Sequence, residues 1–382
     1  MKTHPLMPAG ALRRLSAAWL LAALAACSSG PDKPKPTPLE SPAPSAVRVQ
    51  SLWSQRIGGL QQLPLRPVVN GDQLVLASGD GKVLALQTDS GKELWRAEVG
   101  AELSAGVGTD GRHTAVVTRA NELVVLRNGE VAWRYPLKAR IVTAPLVAGE
   151  RVFVYAADRS VHAFDAASGA KLWSQQRPGD PLMLAQPGVL LPVRDTLVAG
   201  QGPRLAGIDP LRGSVRWEVP LASPRGTNEV ERLADLVGPA GREGNVVCAR
   251  SFQSAVGCVE AQGGTLLWSK ASSGSTGLYA DGQRVYGVDS TDRVTAYRQA
   301  DGDVAWTSER FRFRGLSAPL AVGRSVVVGD AEGYVHLLSR EDGQPQARVA
   351  TDGSAVVGAP VLAGSAWVVV TRAGGVFAFS AQ

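Results

Sequence analysis

Six copies of the pattern Gly-x-x-x-Trp recur along the chain and constrain its fold more than any other feature. Each copy places a glycine four residues before a tryptophan, at Trp95, Trp133, Trp173, Trp217, Trp268 and Trp306. A seventh copy, residues 343–347, keeps the glycine but ends in alanine, and Trp53 stands without the glycine. Successive positions are 42, 38, 40, 44, 51, 38 and 41 residues apart. A period close to 40 residues indicates a repeat architecture.

Each repeat unit contains the same series of short strand-like runs. Residues 71–95, GDQLVLASGDGKVLALQTDSGKELW, and residues 149–173, GERVFVYAADRSVHAFDAASGAKLW, both alternate apolar runs with glycine-rich turns. A lead-in strand such as TAPLVAG (143–149) precedes the unit. Four such strands per unit predict an all-β, eight-bladed β-propeller of four-stranded antiparallel blades over residues 47–382. The tryptophans are expected to pack between neighbouring blades.

The last repeat lacks a tryptophan strand of its own. The chain ends in GGVFAFSAQ, whereas VRVQSLW (47–53) stands at the start of the repeat region. We expect the N-terminal strand to pair with the C-terminal blade and close the ring, because closure removes free sheet edges.

The N-terminal segment has the organisation of an export signal. Lys2, Arg13 and Arg14 precede the apolar run LSAAWLLAALAA (15–26), which is too short to span a bilayer. LAAC (24–27) resembles the bacterial lipobox, which predicts a signal peptide over residues 1–26 and lipidation of Cys27; ordinary cleavage beside an incidental cysteine is the alternative. Residues 27–46 are rich in proline, and we expect a lipidated, extended tether there.

Charge and motifs exclude several function classes. Removal of residues 1–26 takes away three cations and leaves 37 Lys and Arg against 34 Asp and Glu, so nucleic acid is not an expected partner. The chain has no metalloprotease, P-loop or nucleophile-elbow motif. His113, His162 and His336 lack metal-ligand spacing, and structural roles are expected for them. The residues therefore predict no cofactor, no metal and no enzyme activity.

Cys248 and Cys258 fall on the two strands of one predicted hairpin, residues 246–260. An exported chain permits a disulfide between them. If the turn centres on Gln253, the two cysteines are directly opposed and can bridge. A two-residue turn at Gln253 and Ser254 would instead place them on opposite faces.

Two interblade connections are longer or less regular than the rest. The 51-residue interval contains TNEVERLAD (227–235), a polar stretch with the apolar spacing of a helical turn, and the preceding unit contains RPGDPLMLAQPGVLLP (177–192). Connections from successive blades emerge side by side on one face, and binding surfaces are commonly built on such loops. Apolar anchors beside charges predict a protein-docking patch. Two solvated loops with buried leucines are the alternative.

The repeats resemble the quinoprotein alcohol dehydrogenase-like repeat, as in ALQTDSGKELW (85–95), AFDAASGAKLW (163–173) and GIDPLRGSVRW (207–217). That repeat occurs both in enzymes that bind pyrroloquinoline quinone and in proteins that bind no cofactor, so it predicts the fold and not the function. The enzymes usually carry two adjacent cysteines and calcium ligands, and this chain has no adjacent cysteines. A periplasmic quinoprotein-type enzyme is kept as the alternative function. Sugar or envelope-polymer binding in the central channel is a third hypothesis.

The chain also resembles the BamB family of lipoprotein propellers. The similarity is sharpest in TNEVERLAD (227–235), VDSTDRVTAY (288–297), LSAPLAVG (316–323) and VVGDAEGYVHLL (327–338). It implies a non-enzymatic scaffold of the outer-membrane β-barrel assembly (BAM) complex that docks on the periplasmic (POTRA) domains of BamA. Other BAM components and unfolded outer-membrane proteins are further implied partners. The implied location is the periplasmic face of the outer membrane, through a lipid anchor.

The family resemblance also implies which residues bind the partner. Leu182 and Leu184 match the binding leucines of the family, and Asp235 matches one of its binding aspartates. We expect Asp235 to pair with a cation of BamA; the alternative is that Arg232, three residues before it, holds Asp235 in place as a local ion pair. The chain departs from the pattern at Ala185, where many members have arginine, and at Val237, where many have a second aspartate.

Overall fold

The described residues of the computed structural model form eight four-stranded antiparallel sheets. They comprise residues 34–41, 47–61, 63, 65–177, 182–223 and 227–382. The chain divides into two compact units, residues 1–36 and 37–382. The expected signal peptide, Cys27 and most of the expected tether lie outside the described residues. Within the described residues no helix has the length and apolar character needed to cross a membrane.

Each sheet is one blade, numbered in chain order from the inner strand outward. Blade 1 contains β2 (Val68–Asn70), β3 (Gln73–Ala77), β4 (Lys82–Gln87) and β5 (Glu93–Glu98). Blade 2 contains β6 (Leu103–Thr109), β7 (His113–Thr118), β8 (Glu122–Arg127) and β9 (Glu130–Pro136). Blade 3 contains β10 (Leu146–Ala148), β11 (Arg151–Tyr155), β12 (Val161–Asp165) and β13 (Lys171–Gln175). Blade 4 contains β14 (Leu190–Val193), β15 (Thr196–Gln201), β16 (Arg204–Ile208) and β17 (Val215–Pro220).

The second half of the ring repeats this order. Blade 5 contains β18 (Leu236–Glu243), β19 (Val246–Ser251), β20 (Ala255–Glu260) and β21 (Thr265–Ala271). Blade 6 contains β22 (Tyr279–Ala280), β23 (Arg284–Val288), β24 (Val294–Arg298) and β25 (Val304–Ser308). Blade 7 contains β26 (Leu320–Val322), β27 (Ser325–Gly329), β28 (Tyr334–Ser339) and β29 (Pro345–Ala350). Blade 8 contains β30 (Val356–Ala363), β31 (Ala366–Thr371), β32 (Gly375–Ala381) and β1 (Val49–Arg56).

Burial changes from the middle to the outer edge of each blade. The second strand of blade 2, β7, is buried at every position because neighbouring blades cover both of its faces. Its sequence, HTAVVT, accordingly has three apolar residues in succession at its centre rather than an alternation of polar and apolar residues. The outermost strand of blade 1, β5, is exposed at four of its six positions. The core is therefore a ring of clusters between blades, as the all-β propeller prediction requires.

The N-terminal strand closes the ring, as predicted. Strand β1 lies antiparallel to β32, with pairs running from Val49–Ala381 to Arg56–Gly375. The first strand thereby takes the outermost position of blade 8, and the backbone groups at the edge of β32 are paired.

Interblade packing explains why glycine and tryptophan recur together. The Trp53 indole donates its Nε1–H to the Thr88 carbonyl oxygen at 3.0 Å, and its ring covers Gly91 of the next blade. A Cβ at Gly91, where φ is +67°, would lie 2.6 Å from that ring. The Trp133 ring likewise covers Gly169, so each tryptophan packs against the glycine of the following repeat.

Part of the proline-rich segment lies against the propeller. The Thr37 amide donates to the Arg312 carbonyl oxygen at 3.0 Å, and Glu40 pairs with Arg310 at 2.9 Å. The half-buried Leu39 packs against a buried cluster shared by blades 6 and 7. Thr37, Leu39 and Glu40 therefore contact the propeller, although they precede residue 47, where the propeller was expected to start.

Candidate functional site

The two long interblade connections meet on one face of the ring. In an antiparallel blade, the turn between the second and third strands lies at the same end as the connection leaving the fourth strand. Residues 182–189 connect blade 3 to blade 4, and residues 227–235 connect blade 4 to blade 5. We call these two segments the paired loops. The turn of blade 3 that carries Arg159 lies on the same face.

Asp235 joins the paired loops directly. Its side chain is 7% exposed, and its Oδ2 accepts a hydrogen bond from the Leu184 amide at 2.9 Å. Its Oδ1 lies 3.4 Å from an Nη2 of Arg159, which also donates to the Leu182 carbonyl oxygen at 3.2 Å. The predicted proximity of the two connections is thus observed, with a buried carboxylate as the link.

The cation on Asp235 differs from the one expected from sequence. The contact is made by Arg159 of blade 3, and not by Arg232 three residues before Asp235. A spacing of three brings side chains together only while a helical turn continues. Here the turn ends at Arg232, and residues 233–235 run on without helical structure into β18. Arg159 was missed because it lies far away in sequence, although its place in a turn on this face could have indicated it.

The backbone around Asp235 is held by both neighbouring blades. Its carbonyl oxygen accepts from the Phe252 amide at 2.9 Å, and the next amide, of Leu236, donates to the Gly202 carbonyl oxygen at 2.9 Å. The Ser251 hydroxyl donates to the Ala234 carbonyl oxygen at 2.7 Å. The carboxylate therefore projects from a fixed point of the scaffold.

Apolar side chains lie beside this link. Leu182 and Leu184 are half-buried, while Met183 between them packs against a cluster of blades 3 and 4. Val230, in the second loop, is 69% exposed. This exposure makes Val230 a third apolar candidate for contact with a partner.

TNEVERLAD forms one hydrogen-bonded turn rather than a longer helix. The Asn228 side chain accepts from the Glu231 amide at 2.8 Å, and the Glu231 carboxylate accepts from the Thr227 amide at 2.8 Å. These two bonds resemble a helix capping box, except that Glu231 accepts from the amide of the residue before Asn228. The hydrogen bonds from Thr227 hold the pKa of Glu231 below its usual range. The turn ends before Asp235. Val230 lies within the turn, on its exposed side.

A basic cleft of about 440 Å³ runs beside the first loop. Its lining includes Ala185, Gln186 and Pro187 from that loop, together with Arg119 and Arg140 from turns and connections of blades 2 and 3. Positive charge is therefore present next to Ala185, one of the two positions at which the sequence departs from the expected family pattern.

Two cysteines form a covalent bridge within blade 5. Cys248 and Cys258 are directly opposed on β19 and β20, and the structure joins them by a disulfide. Ser251 pairs with Ala255, so the intervening turn centres on Gln253, whose φ is +49°. Both residues are fully buried, so the bridge crosslinks two strands inside the blade and is not exposed at the surface.

The histidines occupy structural positions in the described residues. His162 contacts the Ser160 and Ser174 hydroxyls at 2.9 and 2.7 Å, and burial lowers its pKa. His336 contacts the buried Asp330 at 2.9 Å. Across the described ranges, no group of three or more His, Cys, Asp or Glu could hold a metal ion.

The cysteines and acidic residues that the structure describes do not fit a quinone cofactor with its calcium ion. The cysteines available, Cys248 and Cys258, are ten residues apart and bridged inside one blade. An acidic cluster suited to the cation is likewise not found among the residues that the structure describes. We derive no reaction step through such a group.

The architecture and its repeats define the chain as an eight-bladed propeller of the quinoprotein-like class. A family model described as outer membrane protein assembly factor BamB matches residues 79–308. The outer membrane protein assembly factor BamB of Burkholderia pseudomallei is 37% identical over 359 residues, which cover 93% of this chain and 94% of that protein. The chain belongs to the BamB family.

Solved structures agree on the fold. BamB from Moraxella catarrhalis superposes with a TM-score of 0.79 at 22% identity, over 87% of this chain and 100% of that one. The quinohemoprotein alcohol dehydrogenase from Comamonas testosteroni superposes with a TM-score of 0.67 at 13% identity, over 87% of this chain and 76% of that enzyme. At these identities both similarities concern the fold alone.

Proposed function

We propose that this chain is an outer-membrane lipoprotein scaffold of the BAM complex. It docks through the paired loops on the periplasmic (POTRA) domains of BamA and assists assembly and insertion of β-barrel proteins. Family membership supports this proposal, since the matching relatives are named outer membrane protein assembly factors. Its task is to bind and position partners, without catalysis.

The hydrogen bond between the Leu184 amide and Asp235 is the observation that carries the proposal. It brings the two loops together, so that Leu182, Leu184 and the exposed Val230 belong to one face of the ring. Apolar anchors surrounded by charged groups are typical of protein interfaces. Because the fold itself does not require such loops, a binding role explains why they are longer than the other connections.

Anchoring and further partners are part of the same proposal. Lipidation of Cys27 would hold the propeller at the periplasmic face of the outer membrane. Other BAM components and unfolded outer-membrane proteins are further candidate partners.

Titration of the purified protein with pyrroloquinoline quinone and calcium tests the enzyme alternative directly, because a quinoprotein would bind both.

The docking proposal is tested by titrating the purified propeller against BamA's periplasmic domains. Leu→Ala at an interface centre commonly costs on the order of 1–2 kcal/mol. We therefore expect Leu182→Ala/Leu184→Ala to weaken binding by roughly tenfold or more, with little change in melting temperature. The matched control is Leu94→Ala/Leu172→Ala, because those leucines are 47% and 44% exposed on outer strands.

The control pair should leave affinity unchanged. If the Leu182/Leu184 variant binds as tightly as the parent but melts earlier, the two leucines serve packing and the docking proposal is wrong.

A further inference from the structure

We propose that Arg159 and Asp235 are positioning residues, which clamp the first of the paired loops so that Leu182 and Leu184 are presented in a fixed arrangement. This inference rests on the proposed docking function. It assigns to Asp235 a role inside the propeller, in place of direct contact with a cation on BamA.

The carboxylate of Asp235 is already used within the chain. Oδ2 accepts the Leu184 amide at 2.9 Å and Oδ1 faces Arg159 at 3.4 Å. The side chains of Asp235 and Arg159 are only 7% and 12% exposed. A cation from a partner would have to displace these contacts and enter a nearly closed site. Buried carboxylates of this kind are stabilised by their internal donors, and losing one donor is costly.

The clamp joins three separate parts of the ring. Arg159 belongs to blade 3, Leu184 to the connection between blades 3 and 4, and Asp235 to the connection between blades 4 and 5. Arg159 also holds the Leu182 carbonyl oxygen, so both leucines have a backbone atom bound by the clamp. Because Arg159 and Asp235 come from different parts of the ring, the positions of the two leucines are fixed relative to the blades and not only relative to their own loop.

The downstream end of the same loop is held independently. The Gly188 amide donates to the Thr143 hydroxyl at 2.9 Å, and the Gly238 amide donates to the Pro187 carbonyl oxygen at 2.8 Å. The clamp supplies the corresponding restraint at residues 182–184. Binding surfaces ordered before association lose less conformational entropy when the partner arrives, which raises affinity.

Amide hydrogen exchange tests the clamp without any partner. Removing a hydrogen bond to a charged acceptor should speed exchange of the Leu184 amide by roughly tenfold or more in Asp235→Ala. Arg159→Ala should speed it less, and Asp235→Asn should largely retain protection because the amide oxygen still accepts. The matched control, Asp209→Ala, removes a carboxylate that accepts the Leu211 amide and pairs with Arg216. It should leave Leu184 exchange unchanged.

A double-mutant cycle then separates positioning from direct contact. Asp235→Ala should weaken binding to BamA's periplasmic domains about tenfold in the parent chain, but less than about twofold in Leu182→Ala/Leu184→Ala, because it acts through those two leucines. It should not change the salt dependence of association, since a buried internal pair does not steer the partner.

The outcomes distinguish the two proposals. Unaltered Leu184 exchange in Asp235→Ala and Arg159→Ala, or independent effects in the cycle, overturns the clamp. Failure of the parent chain to bind BamA's domains overturns the docking function while exchange still reports on the clamp. If Asp235→Ala does not fold, Arg159→Ala serves as the disrupting variant, and Asp235→Asn, which keeps the acceptor oxygen, is the protected one to compare with it.

Discussion

A buried carboxylate organises one corner of blade 7. Asp330 is fully buried and accepts hydrogen bonds from Arg314, from His336 and from the Tyr334 amide, each at 2.9 Å. Burial alone would raise the pKa of Asp330, but these donors together lower it. Burial lowers the pKa of His336, against the opposing effect of Asp330. The folded chain therefore favours an ionised Asp330 and a neutral His336.

Acid is expected to destabilise the propeller through this pair. Because the pKa of His336 is lowered on folding, the unfolded chain takes up the proton first. The contribution of neutral His336 to folding stability is fully present above the ordinary histidine pKa of about 6.5, and it is lost as the pH falls below that value. Asp330, whose pKa is also lowered, adds a second loss below about pH 4.

Melting temperatures between pH 7 and pH 5 check the first step. His336→Gln keeps a donor but cannot titrate, so its melting temperature should fall less over this range than that of the parent. His162 titrates in both chains and cancels in the comparison. Identical pH profiles for the two proteins would contradict this assignment.

Single strands and short segments at the N-terminus differ in what they contribute. Strand β1 completes blade 8 along its whole length, whereas residues 37–41 contribute the half-buried Leu39 and the exposed ion pair between Glu40 and Arg310. The strand therefore protects a sheet edge, whereas the preceding segment adds one apolar contact and a few polar contacts on the outside of the ring.

Three truncations of the soluble chain should be unequal in stability. A chain starting at residue 37 should match one starting at Cys27. A chain starting at residue 42 loses the half-buried side chain of Leu39 and should lose about 1 kcal/mol. A chain starting at residue 57 exposes the edge of β32 and should lose far more, with a tendency to aggregate. Denaturant unfolding measures all three, and equal stability of the chains starting at 42 and 57 would refute closure by β1.

The elements could be predicted from sequence because each repeat carries the same local signals. Strands end at glycines that need positive φ, such as Gly91, and the tryptophan packs on a fixed neighbour. Contacts that cross the repeat were not predictable. Arg159 meets Asp235 from 76 residues away, and Leu39 reaches blades 6 and 7 from outside the repeats. Such contacts depend on the relative positions of blades and connections in the folded ring, which the repeat period alone does not specify.

At the largest scale, the closed ring of eight blades carries the paired loops on one of its two faces. The paired loops lie there, while the outer strands expose scattered apolar residues such as Leu94 and Val304. The proposed scaffold binds partners through surface loops, so its function depends on attachment to the membrane as well as on those loops.

Membrane attachment should depend on Cys27. Cys27→Ala removes the predicted lipidation site and should release the propeller into the periplasm or leave an uncleaved precursor. A single acyl chain already gives measurable membrane binding, and several give stable anchoring. Fractionation should be done in cells lacking BamA, so that docking cannot retain the protein. Unchanged membrane association of the variant would rule out the lipoprotein assignment.

Site-specific photo-crosslinking in cells tests the central claim most directly. A benzoylphenylalanine at Val230, 69% exposed in the second of the paired loops, is compared with one at Val304, 58% exposed on the outer strand β25. Both sites are open enough to accept the probe without disturbing the core. If the paired loops dock on BamA, the probe at Val230 should crosslink to BamA and the probe at Val304 should not. The contrary result would be no BamA crosslink from Val230 at normal protein levels, or equal crosslinks from both positions.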